Sequence, residues 1–224
     1  MAVSAQQAKA LIDQIFAQYD PALGQPGSLL PSALTTGKVY EAWVLCEVLR
    51  RLHLHEGYTV TLRRSTKITL KSSPGPINAS VPCFVLTRAG AAAIEIWTDV
   101  EFLALSQARK RGGQPLTRGD YHELDILAVP AGTTGRPAHT SVLIGVECKH
   151  TGYTKDLLRS ILGVRRELSL LRSSLPTGFI TWPRPSVPAY PASCLLVYST
   201  DPRVPTFADP GVVFGIDFVH YPPP

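Results

Sequence analysis

The chain has 224 residues, 45% of them hydrophobic, and its 22 Lys and Arg against 17 Asp and Glu give a formal net charge of +5. At roughly 100 to 200 residues per domain this length suits one domain, residues 1–224, and the apolar content excludes a disordered chain. No apolar run approaches the roughly 18 residues of a membrane helix, and the opening MAVSAQQAKALIDQIF has neither the basic start nor the cleavage site of a secretory signal. A soluble, cytoplasmic protein with no membrane partner is therefore expected. Cys46, Cys83, Cys148 and Cys194 lie 37, 65 and 46 residues apart, match no CxxC pattern and read as reduced, mostly buried side chains.

The periodicity predicts a first amphipathic helix over residues 4–19, with Ala8, Leu11, Ile12, Ile15, Phe16 and Tyr19 at helical spacing. A break at PALGQPGSLLPS leads into a second helix from Thr36 to about His55, built on Leu45, Leu49 and Leu52 and stopped by Gly57. Residues 58–102 turn β-rich: YTVTLRR, TKITLK, VPCFVLT and AIEIWTDVEF, separated by turns and expected to be antiparallel. A basic loop precedes YHELDILAV, which pairs with SVLIGVECK as a hairpin. A long helix over 154–172 follows, with Leu157, Ile161, Val164, Leu168 and Leu171 on one stripe, and Pro-rich segments flank the strands CLLVYS and GVVFGIDFVH. The expected fold class is α/β, a central mixed sheet flanked by helices with a Pro-rich C-terminal periphery.

The anomalies are acids in apolar settings. Strand alternation puts Glu123 and Asp125 on one face and Glu147 with Lys149 on one face of the next strand, while Leu124, Ile126, Val146 and Cys148 point away. Such carboxylates are expensive to desolvate, so they either form a paired ion cluster or hold a divalent cation. Glu41 lies four residues before Leu45, on the core-facing stripe of the second helix, while Glu47 is off that stripe and is expected at the surface. Asp99 and Glu101 share a face with Trp97; membership of the acidic pocket is open to them, but the exposed side of an edge strand is the reading preferred; Trp97, Trp43 and Tyr40 read as core, and His150 as a capping or packing residue.

The order GKVYE ending at Glu41, HELDILAV around Asp125, a hairpin, VECK with Glu147 and Lys149, then a helix and a strand, resembles the PD-(D/E)xK, restriction-endonuclease-like nuclease superfamily across residues 36–199. Leu124 stands where the family name has proline. The resemblance implies Asp125, Glu147 and the backbone carbonyl of Cys148 as ligands of Mg²⁺ or Mn²⁺, Glu41 supporting a second ion, Glu123 as an accessory ligand, and Lys149 positioning or deprotonating water or offsetting transition-state charge. It implies DNA as substrate, with RNA left open, a restriction, defence or repair setting, and permits a homodimer. Phosphate contacts fall to Arg109, Lys110, Arg111 and Arg118 in the loop before the Asp125 strand, and to Lys155, Arg159 and Arg166 on the long helix. Two other readings stay open: a nucleic-acid-binding or scaffold subunit that keeps the fold without cleaving, and a metal-dependent hydrolase of small phosphoesters.

Overall fold

The computed structural model describes residues 10, 12–15, 34–64, 68, 70, 71, 73–110, 115–171, 178, 182 and 189–223. Of the predicted helix 4–19, residues 10 and 12–15 are helical and the rest lies outside the described residues; of the predicted strand TKITLK, residues 66, 67 and 69 lie outside them, and residues 68, 70 and 71 are in no strand.

Helix α1, Thr36–Glu56, starts where the Thr35 hydroxyl accepts a hydrogen bond from the Lys38 N–H, 3.3 Å, and ends at Gly57, whose φ of 71° suits a residue without Cβ. Strands β1 (Thr59–Arg63), β2 (Cys83–Thr87), β3 (Ile94–Leu103), β4 (Tyr121–Pro130) and β5 (Ile144–Lys149) pair in that order, each antiparallel to the next. Helix α2, Lys155–Leu168, then leads to the short pair β6 (Leu170–Leu171) and β7 (Ala189–Tyr190). Strand β8 (Cys194–Ser199) adds to β5 in parallel, and after helix α3 (Ala208–Val213) strand β9 (Ile216–His220) adds to β8, also in parallel. The result is a seven-stranded mixed sheet, β1-β2-β3-β4-β5-β8-β9, flanked by helices. β8 is buried at all six positions, as its unbroken apolar run requires in a central parallel strand.

Two apolar layers cover the sheet. Leu45, Leu49 and Leu52 of α1 pack with Ile94, Ile96, Ile126, Ala128, Ile144 and Val146. Ile161 and Leu168 of α2 pack with Trp97, Val100, Phe102, Leu124, Leu127 and Val129. No helix among the described residues is long and apolar enough to cross a membrane. All four cysteines are unbridged, three of them buried and Cys148 partly so.

Several expectations need correction. Helix α2 stops at Leu168, because Ser169 turns to extended backbone and the chain enters β6, so Leu171 belongs to a strand and not to the helical stripe. Gly211–Val213 of GVVFGIDFVH are the end of α3, and the strand begins at Ile216. Glu47 is 5% exposed, held by Arg50 and Arg51 on its own helix and by the Tyr221 hydroxyl. β3 lies between β2 and β4 and is no edge strand.

Candidate functional site

The layers show where the sheet changes face. In β3, Ile94 and Ile96 belong to the α1 layer, but Val100 and Phe102, of the same parity, belong to the α2 layer; in β4, Leu124 and Ile126 are split in the same way. Both strands therefore change face together, between the pairs Thr98↔Ile126 and Val100↔Leu124. The cause is Asp99, which takes φ 52°, a left-handed conformation open to Asp at modest cost and rare inside a strand. Gly75 takes up the backbone at this kink, donating to the Asp99 carbonyl at 3.2 Å and accepting from the Glu101 N–H at 3.0 Å.

The kink turns Asp99 away from Trp97 and toward α1. Asp99, expected at an exposed edge, is 1% exposed. Glu41 on α1, Asp99 on β3 and Asp125 on β4 each bring a carboxylate oxygen within 4.8 Å of the other two. Lys38, one turn before Glu41, donates to Glu41 Oε2 at 2.6 Å and also to Asp99 Oδ1. Beside them, Asp125 Oδ2 accepts the Cys148 N–H at 2.6 Å, where β4 and β5 part beyond the pair Ile126↔Val146. Lys149 Nζ donates to Glu147 Oε2 at 2.6 Å and lies 3.8 Å from Asp125 Oδ2.

The structure thus joins Glu41, Asp125, Glu147 and Lys149 in one neighbourhood, but the tight carboxylate set replaces the expected Glu147 with Asp99. Glu147 instead holds Lys149 against Asp125. Glu123 lies at the exposed margin, where partial desolvation and then the charges of Asp125 and Asp99 push its carboxyl upward. Glu101 is neutralised by Arg136, whose Nε donates at 2.8 Å. The His150 ring lies 5.4 Å from that of Tyr40, and its Nδ1 is buried without a hydrogen-bond partner among the described residues.

Electrostatics set this cluster apart. Burial raises Glu41 to about 7; the Lys38 hydrogen bond opposes the rise, and Asp125 and Asp99 add to it. Burial likewise raises Glu147, against the pull of Lys149. Asp99 is raised by burial, with Lys38 opposing. Burial lowers Lys149, but Glu147 and Asp125 outweigh it and hold the ammonium form well above the ordinary lysine range. Four carboxylates face two ammonium groups, so full ionisation leaves two negative charges in excess. Asp99 Oδ2 is moreover buried with no hydrogen-bond partner among the described residues. A hard divalent cation fits these residues: it takes carboxylate oxygens, matches the excess charge and would satisfy the orphaned oxygen.

The basic residues divide. Arg118, Lys155, Arg159 and Arg166 are exposed, with Arg159 paired to Asp156 at 2.8 Å. Lys110 is committed to Asp120, so its charge is engaged within the fold. Arg111 and the Arg109 side chain lie outside the described residues.

Sequence reasoning missed Lys38 and misplaced Asp99. Lys38 carried a signal, being three residues before Glu41 and on its helix face. Asp99, an acid within an apolar strand, was open to the pocket but was set at an exposed edge, since Ile94, Ile96, Val100 and Phe102 read as one regular strand. Comparison with known proteins finds no matching family, no matching curated protein and no matching solved structure.

Proposed function

We propose that the chain is a metal-dependent nuclease of the PD-(D/E)xK, restriction-endonuclease-like type that hydrolyses phosphodiester bonds of DNA. The observation that carries this reading is the meeting of Glu41, Asp99 and Asp125 within 4.8 Å, next to the Lys149–Glu147 pair. The order α1, β4, β5, α2, β8, with the acids on the first three, is what the resemblance leads one to expect.

Glu41, Asp99 and Asp125 would hold Mg²⁺ or Mn²⁺. Such an ion supplies Lewis acidity toward a phosphate oxygen and a more acidic bound water. Lys149 is held protonated by Glu147 and Asp125, so its role is to donate a hydrogen bond to water or phosphate and to offset transition-state charge, and not to remove a proton as the free base. Glu147 fixes the rotamer of Lys149. Asp125 is oriented by the Cys148 N–H, which ties the β4 carboxylate to the strand bearing Glu147 and Lys149. Exposed Arg118 and Lys155 would grip the backbone without reading sequence.

Lys38 favours a second reading, a nucleic-acid-binding subunit that does not cleave, because its ammonium already bridges two of the three carboxylates. One assay separates the two. Purified protein is incubated with supercoiled plasmid, single-stranded DNA or RNA, with Mg²⁺, Mn²⁺ or EDTA, beside Asp125→Asn, Glu147→Gln and Lys149→Ala. Metal-dependent nicking lost in all three supports the nuclease; tight binding without cleavage under any metal supports the subunit.

A further inference from the structure

A second site stands apart from the acidic cluster, at the C-terminal end of α2. Arg165 is 2% exposed there, and its Nε donates to the Phe214 carbonyl and its Nη1 to Ser193 Oγ, both at 2.9 Å. Its Nη2 has no hydrogen-bond partner among the described residues, although guanidinium carries five N–H donors. The hydroxyl of Ser169, one turn further along and also 2% exposed, has none among them either. No carboxylate pairs with Arg165 among the described residues; burial pulls its pKa down, countered only by Cys194. The Phe214 carbonyl and the end of the helix offset part of the charge. A guanidinium this buried ordinarily has an anionic partner as well, since an unpaired buried charge is strongly destabilising.

Arg165 and Ser169 line a cavity of about 240 Å³, whose other described walls are Leu162, Arg166 and Phe214. Two residues with unsatisfied buried donors and a second, exposed guanidinium thus line one cavity. We propose that this cavity binds a phosphate-type oxyanion through Arg165, Ser169 and Arg166. Three separate donor groups suit the three or four oxygens of a phosphate better than the two of a carboxylate, and the volume admits a phosphate with a small organic remainder but not a drug-sized ligand. Inorganic phosphate and the terminal phosphate of a nucleic acid share this chemistry. The inference does not depend on the acidic cluster.

The test is thermal unfolding of the full chain in phosphate and in chloride at equal ionic strength, with EDTA present, followed by calorimetric titration of phosphate. Phosphate is expected to raise the melting temperature of the native protein above its value in chloride. Arg166→Ala, at an exposed position, and Ser169→Ala should each weaken phosphate binding by about tenfold while folding normally. Arg165→Lys should weaken it at least as much, and the other two variants decide the matter if this one does not fold. Competition by a 5′-phosphorylated oligonucleotide but not by its 5′-hydroxyl form supports the site with a nucleic-acid end as its source; competition by neither supports it with free phosphate. Equal melting in phosphate and chloride, or undiminished binding in both Arg166→Ala and Ser169→Ala, would overturn the proposal.

Discussion

Buried acids occur in two settings, and the contrast between them is informative. Burial pushes Glu47 up, but hydrogen bonds from Arg50 and Arg51 outweigh it and hold the carboxyl below its ordinary range. The Lys110 hydrogen bond and those from Thr117 bring Asp120 down to about 2, and hydrogen bonds from Arg203 and from the Tyr153 N–H hold Asp201 well below the ordinary carboxylate range. In the α1–β3–β4–β5 cluster the direction reverses: Glu41, Glu147 and Asp99 all rise. An acid that serves the fold comes with enough donors to stay ionised. The cluster is short of positive charge, as expected of residues arranged for something that arrives from outside.

The largest test of this contrast is activity. Asp125→Asn and Asp99→Asn should each lower metal-dependent plasmid cleavage by about 10³-fold, while melting temperature in EDTA stays level or rises, because removing one of several like charges relieves repulsion. A melting temperature that falls steeply in both variants would make these acids structural, like Glu47. Glu47→Ala is the opposite case. Losing hydrogen bonds to two arginines should cost about 2 kcal/mol, or roughly 4 to 8 °C in a domain this size, with Mn²⁺ affinity unchanged by titration.

Lys38→Met sharpens the comparison, since Lys38 is the cation the cluster supplies for itself. At pH 8, with the carboxylates ionised, the variant should bind Mn²⁺ roughly tenfold more tightly by isothermal titration. Unchanged affinity would mean that Lys38 does not occupy the space the ion needs.

The smallest expected effect is on pH dependence. Glu41 is raised from near 4.5 in the unfolded chain to about 7 when folded, and Glu147 is raised as well, so between those values the folded state binds more protons. Stability of the metal-free protein contributed by these groups is therefore full below about pH 4.5 and lost as pH rises through 7. Glu47, Asp120 and Asp201, lowered on folding, act in the opposite sense and in a window below theirs. Melting curves in EDTA from pH 5 to 7.5 should fall less steeply for Glu41→Gln than for the native chain, and equal slopes would remove Glu41 from the cluster.

How far the sequence could be read depended on how local the information was. The spacing of Leu45, Leu49 and Leu52, with Gly57 beyond, marked α1 to within a residue at its end. The alternation in HELDILAV and VECK marked a hairpin whose register pairs Ile126 with Val146. Glu41 stood out because a carboxylate on a core-facing stripe needs a reason. Glu47 was misjudged because α1 is covered on more than one face, which one helix's own pattern does not reveal: Cys46 and Val48, its immediate neighbours, are buried too. Arg165 was passed over because it looked like one more charge at the end of an amphipathic helix, and only the Phe214 carbonyl and Ser193 show that it turns inward.

The order of helices and strands, their apolar layers and the few charges out of keeping with those layers follow from the amino-acid sequence alone, because each depends on neighbours within a turn or a pleat. Which acids meet does not follow from it. Asp99 joins Glu41 and Asp125 only because one left-handed residue turns β3 over while β4 turns with it, and because α1 packs across that point. Those are relations between segments distant in the chain, and the pairing register and helix packing that create them exist only in the folded molecule.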